Sequence, residues 1–147
     1  MIAFRPASRA DVPAVIALLA DDALGATREV ADPAPYRAAF DAMQAEGANH
    51  LIVGEMDGRI IACYQITFIS GLSLTASRRA QIEGVRVAAD QRGQGLGTAL
   101  IADAESRARA AGCALMQLTT NAARTDAHRF YDRLGYSPSH IGMKKRL

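Results

Sequence analysis

Residues 81–100 read QIEGVRVAADQRGQGLGTAL, and this stretch sets how the rest of the chain is organised. In order it offers a strand, a short loop, a turn with glycine at 93, 95 and 97, and the first turns of a helix. Glycine lets the backbone approach a ligand closely and take conformations closed to other residues. A helix entered this way presents unpaired N–H groups and the positive end of its dipole. That is an anion site, with phosphate as its usual occupant. Two nucleotide patterns do not fit. No Lys follows the glycines as a P-loop requires. For the dinucleotide fingerprint the third glycine comes one place early, and the supporting acid about 20 residues on would fall inside the helix. A tight turn without a ligand is the other reading of the glycines alone.

The neighbouring residues narrow the choice. The segment Arg92-Gly93-Gln94-Gly95-Leu96-Gly97 resembles the R/Q-x-x-G-x-G/A pyrophosphate loop of the GCN5-related N-acetyltransferases (GNAT). Val85-Arg86-Val87 resembles the cofactor strand of that family. Ala127-His128-Arg129-Phe130-Tyr131 with Leu134-Gly135-Tyr136 resembles its A-x-x-F-Y…G-F/Y signature. Order and spacing match as well, and the resemblance runs from about Ile2 to Met143. It implies one GNAT-like acyl-CoA N-acyltransferase domain over 1–147. The α/β fold expected is a mixed, mostly antiparallel sheet of six or seven strands flanked by about four helices.

Working outward, residues 2–5 read as a first strand ended by Pro6, which lacks the N–H a ladder needs. Ser8 reads as a helix N-cap with Asp11 in the capping-box position. Val12, Val15, Ile16 and Leu19 then recur at helical spacing. Residues 22–34 read as a loop, and Tyr36, Phe40 and Met43 mark a second helix stopped at Gly47. In the family this region resembles the wall of the acceptor pocket; core packing is the other reading of Tyr36 and Phe40. Glu29 and Asp32 would either meet a cationic acceptor or sit in solvent. Strands follow at 50–56 and 59–69 around the hairpin signal Asp57-Gly58, then a long connection at 70–77 and a fourth strand at 78–88. A third helix over 95–111, capped by Gly112, leads to a fifth strand at 113–119, closing one right-handed crossover. A fourth helix spans 125–134, and 136–147 leaves room for one or two last strands, interrupted by Pro138.

Composition sets the remaining bounds. A chain of 147 residues, 50% hydrophobic, suits one globular domain. No apolar run approaches the roughly 20 residues of a membrane span, and the N-terminus does not read as a signal peptide. Cys63 and Cys113 lie in apolar stretches and read as buried free thiols. A cytoplasmic protein is expected. Net charge is only +2, both lysines sit at the tail, and there is no long basic run, so nothing argues for nucleic acid. His50, His128 and His140 share no ligand-like spacing with Cys or acids, and no metal site is expected.

The resemblance also implies site roles. Backbone N–H groups of Arg92, Gly93, Gln94, Gly95, Leu96 and Gly97, with Thr98 in the first turn, would hold the pyrophosphate of acetyl-CoA. Val85, Arg86 and Val87 would align the pantetheine arm and put an N–H where negative charge develops. Period-two alternation places Glu83, Val85 and Val87 on one face, with Arg86 turned away into solvent. Glu83 is then either the base that takes the amine proton or a partner of Arg78 or Arg79. Tyr131 would protonate or hydrogen-bond the departing sulfur; Phe130 is cofactor contact or core. Many relatives carry Asn where this chain has Arg124, so the pantetheine contact comes from Asn121, from Arg124, or is lost.

The activity implied is acetyl transfer from acetyl-CoA to a primary amine, of a small molecule rather than a protein, by direct attack in a ternary complex. A protein N-acetyltransferase, a non-catalytic acyl-CoA sensor and a subunit of a larger complex are the alternatives. A homodimer would cover an unpaired edge strand or Leu72 and Leu74.

Overall fold

The computed structural model describes residues 1–147, which divide into compact units at 1–117 and 118–147. The first unit is built on one sheet. Its strands are β1 (Ala3–Pro6), β2 (Asn49–Met56), β3 (Arg59–Ile69), β4 (Arg79–Val87) and β5 (Leu115–Gln117), adjacent in that order. The first four pair antiparallel, and β5 joins β4 in parallel. Pro6 closes β1 from inside the strand, opposite Ile52, which an edge position tolerates. Asp57-Gly58 forms the two-residue turn between β2 and β3.

The chain enters its first helix through the expected capping box. The Ser8 backbone N–H donates to Asp11 Oδ2 at 2.7 Å and its hydroxyl to the same atom at 2.9 Å. A 3-10 turn (Arg9–Asp11) leads into α1 (Val12–Ala20). The loop expected at 22–34 contains a helical turn, α2 (Gly25–Arg28), before α3 (Ala34–Glu46). The connection at 70–77 likewise holds a turn, α4 (Ser73–Ala76), in which Leu74, Thr75 and Ala76 take left-handed φ of 55°, 60° and 57°. The helix after the glycines is α5 (Leu96–Ala110), and α6 (Thr125–Arg133) lies in the second unit. Four helices of nine residues or more thus stand where four were expected, with two short turns besides.

The sheet has five strands, not six or seven. Residues 136–147 form none. Pro138 cannot donate to a ladder and Ile141 is the only β-branched residue there, so the segment has little to gain from pairing.

Both faces of the sheet are covered in the first unit. Val12, Val15 and Leu18 of α1 and Phe40 of α3 pack with Val53, Ile61 and Cys63. Strand register puts Ile52 opposite Tyr64 and Ile66 opposite Ile82, on the other face. There the Tyr64 hydroxyl donates to Asp103 of α5, and Leu100, Ile101, Ala104 and Ala108 are buried. Burial and the Asp103 bond both push the Tyr64 phenol up. Cys63 is a buried free thiol, raised by burial to about 12, whereas Cys113 is only half-buried. No helix is long and apolar enough to cross a membrane.

Candidate active site

Alternation along β4 fails at the residues where it mattered most. Glu83 pairs with Gln65 and Arg86 with Cys63, so three steps on β4 match two on β3. The extra residue is a β-bulge, made possible by Gly84 at φ +58°, a conformation that L side chains rarely take. Glu83 therefore shares its face with Arg86, and Val87, opposite Ala62, falls on the other. This corrects the single face expected for Glu83, Val85 and Val87.

Arg86 is also not solvated. Its guanidinium lies 3.3 Å from Asp22 and donates from Nη1 to the Val85 carbonyl at 2.9 Å. Asp22 in turn accepts the Gly25 backbone N–H. Next to it, Asp21 Oδ2 accepts the Ala89 N–H at 2.9 Å. Arg92 donates to the carbonyls of Asp21, at 3.1 Å, and Val87, at 3.2 Å. The end of α1 is thus pinned to both sides of the stretch between β4 and the glycines. Arg92 shapes that stretch through backbone carbonyls.

The ladder between β4 and β5 covers only Arg79–Gln81 against Leu115–Gln117. Beyond it the outer edge of β4, from Ile82 to Val87, faces no strand. Such an edge offers backbone donors and acceptors to an extended, amide-bearing group. One loop later, Gly93 and Gly95 hold φ of +79° and +76°, and a Cβ at either would meet nothing within 4 Å. The first backbone bond of α5 runs from the Ala99 N–H to the Gly95 carbonyl at 3.1 Å. The N–H groups of Leu96, Gly97 and Thr98 therefore have no intrahelical acceptor. Open glycines, unpaired donors and a helix dipole fit a pyrophosphate, and the free edge of β4 fits a pantetheine arm.

Glu83 is exposed and forms no ion pair. Arg78 instead stacks over the Phe68 ring, 5.7 Å from its centroid, and Arg79 bonds to Gln117 and Ser73. Glu29 accepts the Tyr36 hydroxyl at 2.5 Å, which raises the Tyr36 phenol, and Asp32 caps the Ala34 N–H at 3.0 Å. Both acids are engaged within their own loop. Phe40 is core, while Tyr36 packs half-buried against that core.

In the second unit, Tyr131 on α6 stacks edge-on between Phe130, at 5.1 Å, and Tyr136, at 5.8 Å. Asn121 shapes the approach to α6. Its Oδ1 accepts the Ala123 N–H at 2.9 Å, and its carbonyl accepts the Arg124 N–H at 2.9 Å and lies 3.0 Å from His128 Nε2. Arg124 is exposed at the N-cap of α6.

With this geometry in place, comparison with known proteins identifies the lineage. The sequence model of the acetyltransferase (GNAT) family matches residues 16–136. The chain belongs to that family. An aminoalkylphosphonate N-acetyltransferase of Salmonella typhimurium is 48% identical over 67 residues, which is 46% of this chain and 44% of that enzyme. The match thus spans less than half of that relative. A crystal structure of a protein described as a transcriptional regulator, from Bacillus halodurans C-125, is 40% identical with a TM-score of 0.96, covering 100% of both chains. A Clostridium acetobutylicum structure described as a predicted acetyltransferase with acetyl-CoA shares the fold. Its TM-score is 0.78 at 16% identity, covering 99% of this chain and 96% of that one.

Proposed function

We propose that the protein transfers the acetyl group of acetyl-CoA to a primary amine of a small molecule, by direct attack in a ternary complex. The observation that carries the reading is the pairing of open N–H groups at the start of α5 with the free, bulged edge of β4 just upstream. Bound acetyl-CoA supplies the thioester whose acyl carbon the amine attacks. The N–H groups of residues 93–98 hold its pyrophosphate, and the backbone of Val85, Arg86 and Val87 aligns its arm. Glu83, exposed beside the bulge and unpaired, takes the proton the amine must lose. Tyr131, assigned by its place in the F-Y motif, supplies the proton the departing sulfur needs. Asn121 is engaged in its own turn, which leaves Arg124 as the freer contact for the cofactor. The whole chain acts as one acetyltransferase domain. Its free thiols suit a reducing cytoplasm. Leu72 and Leu74, 94% and 64% exposed, suit a homodimer contact.

The test is release of free thiol from acetyl-CoA over a panel of amines. Wild-type protein turns over at least one amine class. Tyr131→Phe lowers kcat about 100-fold with acetyl-CoA affinity kept; full turnover in that variant removes the acid role. A second reading, a non-catalytic acyl-CoA sensor, draws on the relative described as a transcriptional regulator. Tight acetyl-CoA binding without turnover on any amine would favour it.

A further inference from the structure

The sheet face that carries Glu83 continues away from the core as a polar surface. Register places Gln81 opposite Thr67 on one side and Gln117 on the other, and Arg79 opposite Ile69 and Leu115. Arg79, Gln81 and Glu83 therefore share one face of β4 at successive two-residue steps, about 13 Å from end to end at Cα. These groups are ordered by one another. Arg79 Nη1 donates to Gln117 Oε1 at 3.1 Å, and Gln117 Nε2 donates to Gln81 Oε1 at 2.8 Å. Arg79 Nη2 donates to Ser73 Oγ at 3.2 Å.

The chemistry of Arg79 differs from that of most ordered arginines in this chain. Arg5, Arg59, Arg86 and Arg107 each face a carboxylate. Arg79 is half-buried and held by a neutral amide and a neutral hydroxyl, so its orientation is fixed while its charge is left uncompensated. Ser73 reaches it from α4, where three consecutive non-glycine residues are kept in left-handed backbone.

We propose that Arg79, oriented by Gln117 and Ser73, binds an anionic group on the acceptor, so that the preferred substrate is an ω-aminoalkyl phosphonate, carboxylate or sulfonate with its amine towards Glu83. A planar guanidinium presents paired donors to such oxyanions. The partial match to an aminoalkylphosphonate N-acetyltransferase agrees with this chemistry. The inference rests on the acetyl-transfer reading.

The experiment compares kcat/KM for 2-aminoethylphosphonate with that for propylamine. Wild-type protein favours the anion. In Arg79→Met the ratio of the two falls roughly 10- to 100-fold, the value of one or two lost charge-assisted hydrogen bonds. Gln117→Glu, which keeps the arginine but supplies it with a carboxylate, lowers the ratio in the same direction. Calorimetric titration of 2-aminoethylphosphonate into the coenzyme A complex shows the same loss, with coenzyme A affinity as the control for folding. An unchanged ratio in both variants overturns the assignment. So does a wild-type protein that acetylates propylamine as well as the phosphonate, an outcome that leaves acetyl transfer standing. Binding of acetyl-CoA with no thiol released from any amine overturns this proposal and the catalytic reading together.

Discussion

Glu83 has no cation within ion-pair distance, and its strand neighbours on the same face are a glutamine and an arginine already paired with Asp22. A carboxylate left free beside the cofactor edge is available for proton transfer rather than tied up in structure. Glu83→Gln removes the proposed base without changing its size, and kcat/KM for the amine should fall about 100-fold while acetyl-CoA affinity holds. Near-wild-type kcat/KM and pH profile in that variant would refute the role. The place of this residue beside Val85-Arg86-Val87 was legible, but its surroundings were not. Arg78 and Arg79 were the partners within reach by sequence, yet one stacks on Phe68 and the other reaches across to Gln117. Asp22 and Gln117 became visible only through contacts that span 64 and 36 residues of chain: Asp22 with Arg86, and Gln117 with Gln81.

Among the elements, those announced by local chemistry were legible. The Ser8–Asp11 box, the Asp57-Gly58 turn and the helix after Gly95 depend on neighbours within four residues. Asp11 adds a testable pH dependence. Its hydrogen bonds from Arg5 first, then from Ser8, hold its carboxyl at about 2, below the ordinary value of 3.8. A depressed carboxyl stabilises the fold above the unfolded-state value, and the contribution is lost as pH falls from about 4 to about 2. Asp11→Asn should therefore lower the thermal midpoint at pH 7, and the gap to wild type should close over that acid window. A gap that stays constant down to pH 2 would contradict the assignment. Less legible was the bulge in β4. Gly84 advertised it only as a glycine inside a strand pattern, and strict alternation carried through it put Arg86 and Val87 on the wrong faces. The short turns α2 and α4 and the missing last strands were misread for a related reason: four-residue turns and a strand that gains no partner leave almost no periodicity to read.

At the scale of the whole molecule, one crossover from β4 through α5 to β5 carries the proposed cofactor site. It brings a bulged strand edge, an open glycine turn and the N-terminus of α5 into sequence order, and the parallel ladder stops at Gln81 so that the edge stays free. The end of α1 locks the same region through Asp21 and Asp22, so the bulged strand and the stretch leading to the glycine turn share one anchor. The family resemblance in the sequence rested on the strand and glycine loop of this crossover together with the F-Y motif of α6, and the family model bears it out. The proposed acceptor face did not appear there, because it is assembled from residues of β3, β4, β5 and the α4 turn. The central claim is that the turn at 93–97 holds the cofactor through its backbone, and calorimetric titration with acetyl-CoA tests it most directly. Wild-type protein should bind, and Gly95→Val, which forces a β-branched side chain into φ +76° at the mouth of the open turn, should abolish binding while leaving a cooperative thermal transition. A wild-type protein that does not bind acetyl-CoA, or a variant that binds it as tightly as wild type, would contradict the account.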